Sequence, residues 1–171
     1  QALKLGAGSD ADTQMGPLAH AGRLEDMQRF VDEAVGMGAR LLCGGKRSQR
    51  SGYFFEPTVM TDVPDGCRLA REEPFGPIAV LAAFDALDEA IGLANASRYG
   101  LGAYAFTRDL VTAHRLGEEI EAGMVGINHF GVSQPELPFG GWKESGHGQE
   151  MGLEGLLAYT DLKTVVVGVP S

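Results

Sequence analysis

The first segment whose residue types could bind a ligand is REEPFGP, at residues 71–77. Its two prolines, Pro74 and Pro77, fix the backbone φ angle on either side of Phe75, so the loop is predicted to be stiff. A carboxylate held beside an aromatic ring can accept hydrogen bonds from two ribose hydroxyls while the ring packs on the nucleoside. The alternative is a surface turn with two solvated glutamates. Spacing alone favours that alternative, because adjacent glutamates usually face solvent.

The second such segment is LPFGGWKESGHG, at residues 137–148. Phe139 and Trp142 flank a pair of glycines, which lets another part of the backbone approach closely. Lys143 and Glu144 follow directly. The segment could form the aromatic wall of a pocket or a tight loop that closes the core. The residues alone leave both interpretations open.

Cysteine and histidine suggest no further reactive centre. Cys43 lies in LLCGG and Cys67 in DGCRLA. Both are interpreted as structural, because free cysteines are commonly buried. The four histidines are scattered without the spacing of metal ligands, so no metal site is predicted. Only His129 falls in a loop where it could line a pocket.

The elements that must position these loops follow from the apolar pattern. An amphipathic helix is predicted at residues 23–37, ending at Gly38. Further helices are predicted at residues 87–96, 110–120 and 149–159. Asp85 is the predicted N-cap of the first of these, and Thr107 or Asp109 that of the second. Strands are predicted at residues 39–42, 54–63, 78–84, 102–107, 124–128 and 162–169.

The order of these elements predicts the fold class. From residue 78 the chain alternates strand, helix, strand, helix and strand, which is typical of an α/β fold with a parallel sheet and flanking helices. The run at 78–84 is continuously apolar, as expected for a strand buried on both faces. Ligands of such sheets bind in loops at the carboxyl ends of strands, here residues 129–148. Two parts are predicted, residues 1–160 and a terminal strand at 161–171.

Composition excludes several classes of protein. The chain carries a net charge of −9, from 14 basic and 23 acidic side chains, which argues against binding to nucleic acid or to an anionic membrane. No apolar run approaches the ~18 residues that a membrane span needs. Two cysteines are too few for a disulfide framework, so a cytoplasmic location is predicted.

Taken together, the motifs resemble the aldehyde dehydrogenase superfamily in order and spacing. The sequences EEPFGP and INHFGVSQPELPFGG most resemble those of the succinate-semialdehyde dehydrogenase-like branch. The resemblance covers essentially the whole chain. Its motifs are TQMGP (13–17), ARLLCGG (39–45), GYFFEPTV (52–59), E-x-F-G-P (73–77), YGLGAYAFTRD (99–109) and PFGG-x-K-x-SG (138–146).

The resemblance implies the C-terminal part of an aldehyde dehydrogenase catalytic domain, followed by an oligomerisation strand. It implies NAD or NADP as cofactor, with Glu73 holding the nicotinamide ribose and Phe75 packing beside it. Phe139 would form a wall of the aldehyde pocket. The variable part of that pocket would include three residues of the preceding loop, His129, Ser133 and Gln134.

The resemblance also implies what the chain lacks. In this family a cysteine adds to the aldehyde carbon, hydride passes to the nicotinamide, and water hydrolyses the resulting thioester. That cysteine, the general base, the oxyanion asparagine and the Rossmann domain are expected upstream, so the chain alone is predicted to be inactive. Its partners would be an aldehyde, possibly succinate semialdehyde, the remainder of the parent enzyme, and further copies in a dimer or tetramer. The alternative is a non-catalytic fragment or scaffold that packs, oligomerises or binds nucleotide weakly.

Overall fold

The computed structural model describes residues 3–169, and the chain divides into two compact units between Ala83 and Phe84. Nothing in the composition indicates this division, because neither prolines nor polar residues accumulate there. None of the helices within residues 3–169 is long and apolar enough to cross a membrane. Each unit carries one of the two loops singled out above.

The first unit combines one long helix with a three-stranded sheet. Helix α1 (Ala21–Gly36) buries one apolar face, including Met27 and Phe30, in the core of this unit. The His20 side chain accepts a hydrogen bond from the Arg23 N–H and caps its N-terminus. The strands are β1 (Arg40–Cys43), β2 (Thr58–Thr61) and β3 (Ile78–Leu81). Strand β2 lies in the middle, antiparallel to β1 and parallel to β3.

The second unit contains a strand–helix–strand crossover. Its elements are α2 (Leu87–Asn95), β4 (Tyr99–Gly100), β5 (Gly102–Ala105), α3 (Leu110–Glu119), β6 (Met124–Ile127), β7 (Trp142–Lys143) and α4 (Gly152–Leu157). Strands β5 and β6 are parallel and α3 connects them, as predicted. Strand β7, inside the predicted loop, pairs with β4 in the antiparallel direction. The core of this unit includes Ile91, Leu116 and Ile120.

The prediction for the 78–84 run was wrong in two respects. The strand ends at Leu81, whose side chain is 53% exposed, so β3 is not buried on both faces within the described residues. Among the described residues it pairs with β2, whereas β5 pairs with β6, so β3 is not in one sheet with β5 and β6 as predicted. An apolar run indicates that a strand can be buried, but it does not identify the neighbouring strand.

The N-cap of α2 and the length of the last helix differ from prediction, whereas the N-cap of α3 is one of the two predicted residues. Ala86, not Asp85, is the N-cap of α2, while Asp85 donates its N–H to the Glu89 carboxylate at 3.0 Å. Asp109 caps α3 by accepting the Thr112 N–H at 2.7 Å. The last helix is shorter than predicted, because the residue before it, Met151, has a φ of +59°.

The predicted strand at residues 162–169 is not formed within the chain. The described residues from 160 to 169 have no β-partner, and Val166 is 89% exposed. Residues 170 and 171 lie outside the described residues.

Candidate functional site

The loop at residues 71–77, here called the REEPFGP loop, is hydrogen-bonded at both ends. At its start the Arg71 side chain donates to the Asp65 carbonyl at 2.7 Å. At its end the Pro77 carbonyl accepts the Thr58 N–H at 2.8 Å, which ties the loop to the beginning of β2. These bonds and the two prolines support the stiff loop that the sequence predicts.

The two glutamates of this loop have different surroundings. Glu72 binds the Arg68 guanidinium through both carboxylate oxygens, at 3.2 and 2.9 Å. This hydrogen bonding raises the pKa of Arg68 above its usual value. Glu73 is exposed and has no hydrogen bond or ion pair within residues 3–169. The pair is therefore not an equivalent solvated pair, because only Glu73 has both carboxylate oxygens available to a ligand.

Phe75 is exposed in an unusual backbone conformation. Its φ is +45°, a region that costs an L-residue roughly 1–2 kcal/mol, and its side chain is 66% exposed. Strained backbone of this kind clusters at active sites and ligand-binding loops. The Arg23 guanidinium carbon lies 5.7 Å from the centre of the Phe75 ring. Arg23 was not predicted as a site residue, since nothing in its own segment relates it to the distant REEPFGP loop.

The second loop, here called the PFGG loop (residues 138–146), is fixed by its polar residues. The Lys143 ammonium group donates to the carbonyls of Asn95 and Ser97 at 2.8 and 3.1 Å. It also pairs with the Glu121 carboxylate at 2.6 Å. The Ser145 hydroxyl accepts the Gly100 N–H at 3.0 Å. The lysine thus joins the end of α2 to the segment before β6 and positions the PFGG loop.

The glycines of this loop allow close backbone contact. A Cβ atom at Gly123 would lie 1.9 Å from the Gly140 carbonyl oxygen. Phe139 exchanges two backbone hydrogen bonds of 2.7 Å with Glu150. Its side chain is half-buried and lines an open cleft of about 760 Å³, together with Leu101, Gln149, Met151 and Tyr159, among others. The loop combines the two interpretations: its glycines pack tightly, and Phe139 forms a wall.

The remaining candidate residues lie in the exposed segment before the PFGG loop. His129 accepts the Gly131 N–H at 3.0 Å, and the Gln134 side chain donates to the Gly131 carbonyl at 3.0 Å. The Ser133 hydroxyl lies 3.9 Å from the Met151 sulfur, and Met151 lines the cleft. Ser133 therefore lies next to one residue of the cleft lining, but Ser133, His129 and Gln134 are not themselves among the lining residues.

Asn128 is a further residue that the sequence analysis did not single out. Its side-chain amide donates to the Thr107 carbonyl at 2.8 Å and accepts the Thr107 N–H at 2.9 Å. Its φ is +55°, where the chain leaves β6 and enters the loop. Asparagine is enriched in this conformation, which is the signal that could have identified it. Asn128 fixes the direction in which the variable segment leaves the sheet.

The two cysteines of the first unit differ in exposure. Cys67 is fully buried (0% exposed) in the core of the first unit. Cys43 is exposed on β1, and its sulfur lies 3.8 Å from the Pro57 carbonyl oxygen. Within residues 3–169, no group of three or more His, Cys, Asp or Glu side chains could hold a metal ion.

Comparison with known sequences decides the family. The profile of the aldehyde dehydrogenase family matches residues 1–165. The chain belongs to the aldehyde dehydrogenase family. This confirms the resemblance that the two loop motifs carry.

Curated aldehyde dehydrogenases match nearly all of the chain. The mitochondrial aldehyde dehydrogenase of Equus caballus is 43% identical over 161 residues, covering 94% of this chain and 32% of its own length. Succinate-semialdehyde dehydrogenase [NADP(+)] 1 of Mycobacterium tuberculosis is 44% identical over 164 residues, covering 96% of this chain and 36% of its own length. The chain therefore spans about a third of the length of the curated relatives it matches.

Solved aldehyde dehydrogenase structures confirm the α/β fold. The NAD+ complex of an aldehyde dehydrogenase from Bacillus cereus superposes with a TM-score of 0.93 at 40% identity, covering 98% of this chain and 34% of that one. The NAD+ complex of betaine aldehyde dehydrogenase from Staphylococcus aureus has a TM-score of 0.88 at 42% identity, covering 92% of this chain and 32% of that one.

Proposed function

We propose that this chain is the C-terminal part of an NAD(P)-dependent aldehyde dehydrogenase that oxidises an aldehyde to a carboxylate. The observation that carries the proposal is the contrast within the REEPFGP loop. Glu72 binds Arg68, while Glu73 is exposed, has no hydrogen bond or ion pair within residues 3–169, and lies two positions before the exposed Phe75. Membership of the family and the names of the relatives, which include NAD+ complexes and an NADP+ enzyme, support the same conclusion.

The residues of the REEPFGP loop fit a nucleotide ribose. A carboxylate with unoccupied lone pairs can accept two hydroxyl hydrogen bonds, and a neighbouring ring can pack against the sugar or base. The bound cofactor, NAD or NADP, supplies the acceptor for hydride. Glu73 and Phe75 would orient it, and the rigid loop would hold both in place.

The aldehyde would bind in the second unit, with Phe139 as an apolar wall. Ser133 is the best placed of the variable residues, because its hydroxyl lies 3.9 Å from the sulfur of Met151, which lines the cleft. His129 and Gln134 stay candidates for substrate contact from the same exposed segment. Succinate semialdehyde is a candidate substrate, supported by the name of the Mycobacterium tuberculosis relative and by the PELPFGG wording.

Replacement of Glu73 by glutamine tests the proposed ribose contact. In the full-length enzyme, we expect Glu73→Gln to weaken cofactor binding or slow hydride transfer roughly ten- to a hundredfold. The reason is that a hydrogen bond to a charged group contributes about 1.5–3 kcal/mol. Cofactor titration and single-turnover kinetics measure the two effects, and the KM for the aldehyde should change much less.

Glu72→Gln is the matched control for this experiment. It changes the neighbouring carboxylate in the same way, but its structural partner is Arg68. We expect it to lower stability slightly without a specific effect on the cofactor, since exposed ion pairs contribute little. Equal effects of the two substitutions on cofactor binding would contradict the assignment of Glu73.

We also propose that residues 161–171 form an arm shared between subunits of a homodimer or homotetramer. The described part of this segment is unpaired and exposed, and it contains three consecutive valines at residues 165–167. Its backbone donors and acceptors are free to extend the sheet of another chain.

A cytoplasmic location stays a prediction from the two cysteines.

Deletion of residues 164–171 from the full-length enzyme should shift the assembly towards monomer. The far-ultraviolet circular dichroism should change little, because the segment adds no helix or paired strand within the described part of a single chain. Light scattering gives the mass in solution. A truncated protein that keeps its oligomeric mass would show that the segment pairs within its own subunit.

A further inference from the structure

Helix α1 supports the REEPFGP loop at two adjacent points. Arg23 and Met27 are four residues apart and therefore lie on one face of the helix. The Arg23 guanidinium lies over the Phe75 ring. The Met27 sulfur lies against Gly76, where an added Cβ would come within 2.2 Å of it. The contact at Gly76 sets the distance between helix and loop, and the contact at Phe75 involves the ring itself.

Arg23 is itself held in place. Its guanidinium pairs with Asp26 at 3.5 Å, and its backbone N–H donates to the His20 ring at 3.2 Å. Asp26 also accepts a hydrogen bond from Arg29, and this bond lowers the pKa of the Asp26 carboxyl, so the carboxylate remains ionised. A guanidinium restrained by a carboxylate presents a fixed planar cation to the ring.

The Phe75 ring needs such a support. It is largely exposed, and its backbone lies in the left-handed region, so apolar packing by itself restrains the ring weakly. A cation over the face of an aromatic ring is attracted by the negative charge density of that face.

We propose that Arg23 is a positioning residue that orients the Phe75 ring for the nicotinamide nucleoside. The inference rests on the proposed function of the REEPFGP loop. Arg23 acts through the ring and makes no contact with the reacting atoms. Without the guanidinium the ring is free to turn. Cofactor binding must then also order the ring, which lowers the affinity.

The test is cofactor affinity of the full-length enzyme after Arg23→Ala, titrated with NAD and with NADP by fluorescence quenching. We expect a dissociation constant about two- to fivefold higher, which corresponds to about 0.5–1 kcal/mol for a cation–π contact at an exposed site. The KM for the aldehyde should not change. Arg23→Lys keeps a cation without the planar guanidinium and should therefore retain part of the affinity.

Arg29→Ala is the matched control, because Arg29 also binds Asp26 from α1, while the ring contact is made by Arg23. It should leave cofactor affinity unchanged. Thermal unfolding of both variants separates a loss of fold from a loss of positioning. An equal loss of affinity in the two variants would assign the effect to helix stability and overturn the proposal.

A double-mutant cycle with Phe75→Ala decides whether Arg23 acts through the ring. We expect Arg23→Ala to have no further effect on affinity in the Phe75→Ala background. A full effect in that background would mean direct contact with the cofactor and would overturn the positioning role. If Glu73→Gln and Phe75→Ala both leave affinity unchanged, the proposed function of the loop fails. If both weaken binding and Arg23→Ala does not, only the inference about Arg23 fails.

Discussion

Incubated alone with a semialdehyde and NAD or NADP, the 171-residue chain should form no reduced cofactor. Oxidation by this family needs a thiolate that can add to the aldehyde carbon. Cys67 cannot serve, because it is fully buried in the core of the first unit. Cys43 is exposed on β1 beside the Pro57 carbonyl, and its LLCGG segment is interpreted as structural or incidental. The absorbance of reduced cofactor, followed after extensive purification, measures the activity.

The full-length enzyme under the same conditions is the positive control for this assay. Its turnover would show that substrate and cofactor were suitable. Activity of the isolated chain that disappears on Cys43→Ala or Cys67→Ala would contradict the prediction and identify a nucleophile within these residues. Activity that survives both substitutions would point to a contaminating dehydrogenase.

Alanine at Gly123 should damage the substrate side of the full-length enzyme severely. The new Cβ would lie 1.9 Å from the Gly140 carbonyl oxygen and 2.9 Å from the Gly140 carbonyl carbon. Both atoms belong to backbone, so relief requires the PFGG loop to move, and Phe139 moves with it. We expect a loss of stability of about 3 kcal/mol, at the upper end for overpacking. Aldehyde turnover should fall with it, because the pocket wall is displaced.

Gly117→Ala is the control for the Gly123 substitution. Gly117 lies within α3, and an added Cβ there meets no atom within 4 Å. Alanine should therefore stabilise the helix by roughly 0.5–1 kcal/mol. Thermal and urea unfolding compare the two variants, together with the KM for the aldehyde. Similar unfolding midpoints for both would show that the PFGG loop yields without cost.

The sequence predicts most of the second unit and the identity of both loops. The spacing of apolar residues and the capping residues indicate α3, β5 and β6. A helix that connects two neighbouring apolar strands makes them parallel. Asp109 caps α3 as one of the two predicted candidates. The motif order identifies the family, which the comparison confirms. The roles of Glu73 and Phe75 stay predictions, now supported by the surroundings of the two side chains.

The sequence could not indicate contacts between distant segments. Pairing of β3 with β2, the position of Arg23 over Phe75, and the binding of Lys143 to α2 each join residues that are far apart in the chain. Local patterns do not encode such partners. The 53% exposure of Leu81 could not be predicted for the same reason. An apolar side chain gains free energy if it is buried, but its type does not show whether another segment covers it.

The pairing of β4 with β7 gives the PFGG loop a late place in folding. Strands β4 and β7 are separated along the chain by β5, α3 and β6, so their pairing closes a long loop. Closing a segment of this length costs entropy that neighbouring contacts do not have to overcome. Each of the two strands has only two residues, so few interstrand hydrogen bonds offset the loop-closure entropy. The wall of the substrate cleft is therefore expected among the last parts of this unit to form and among the first to open in thermal fluctuation.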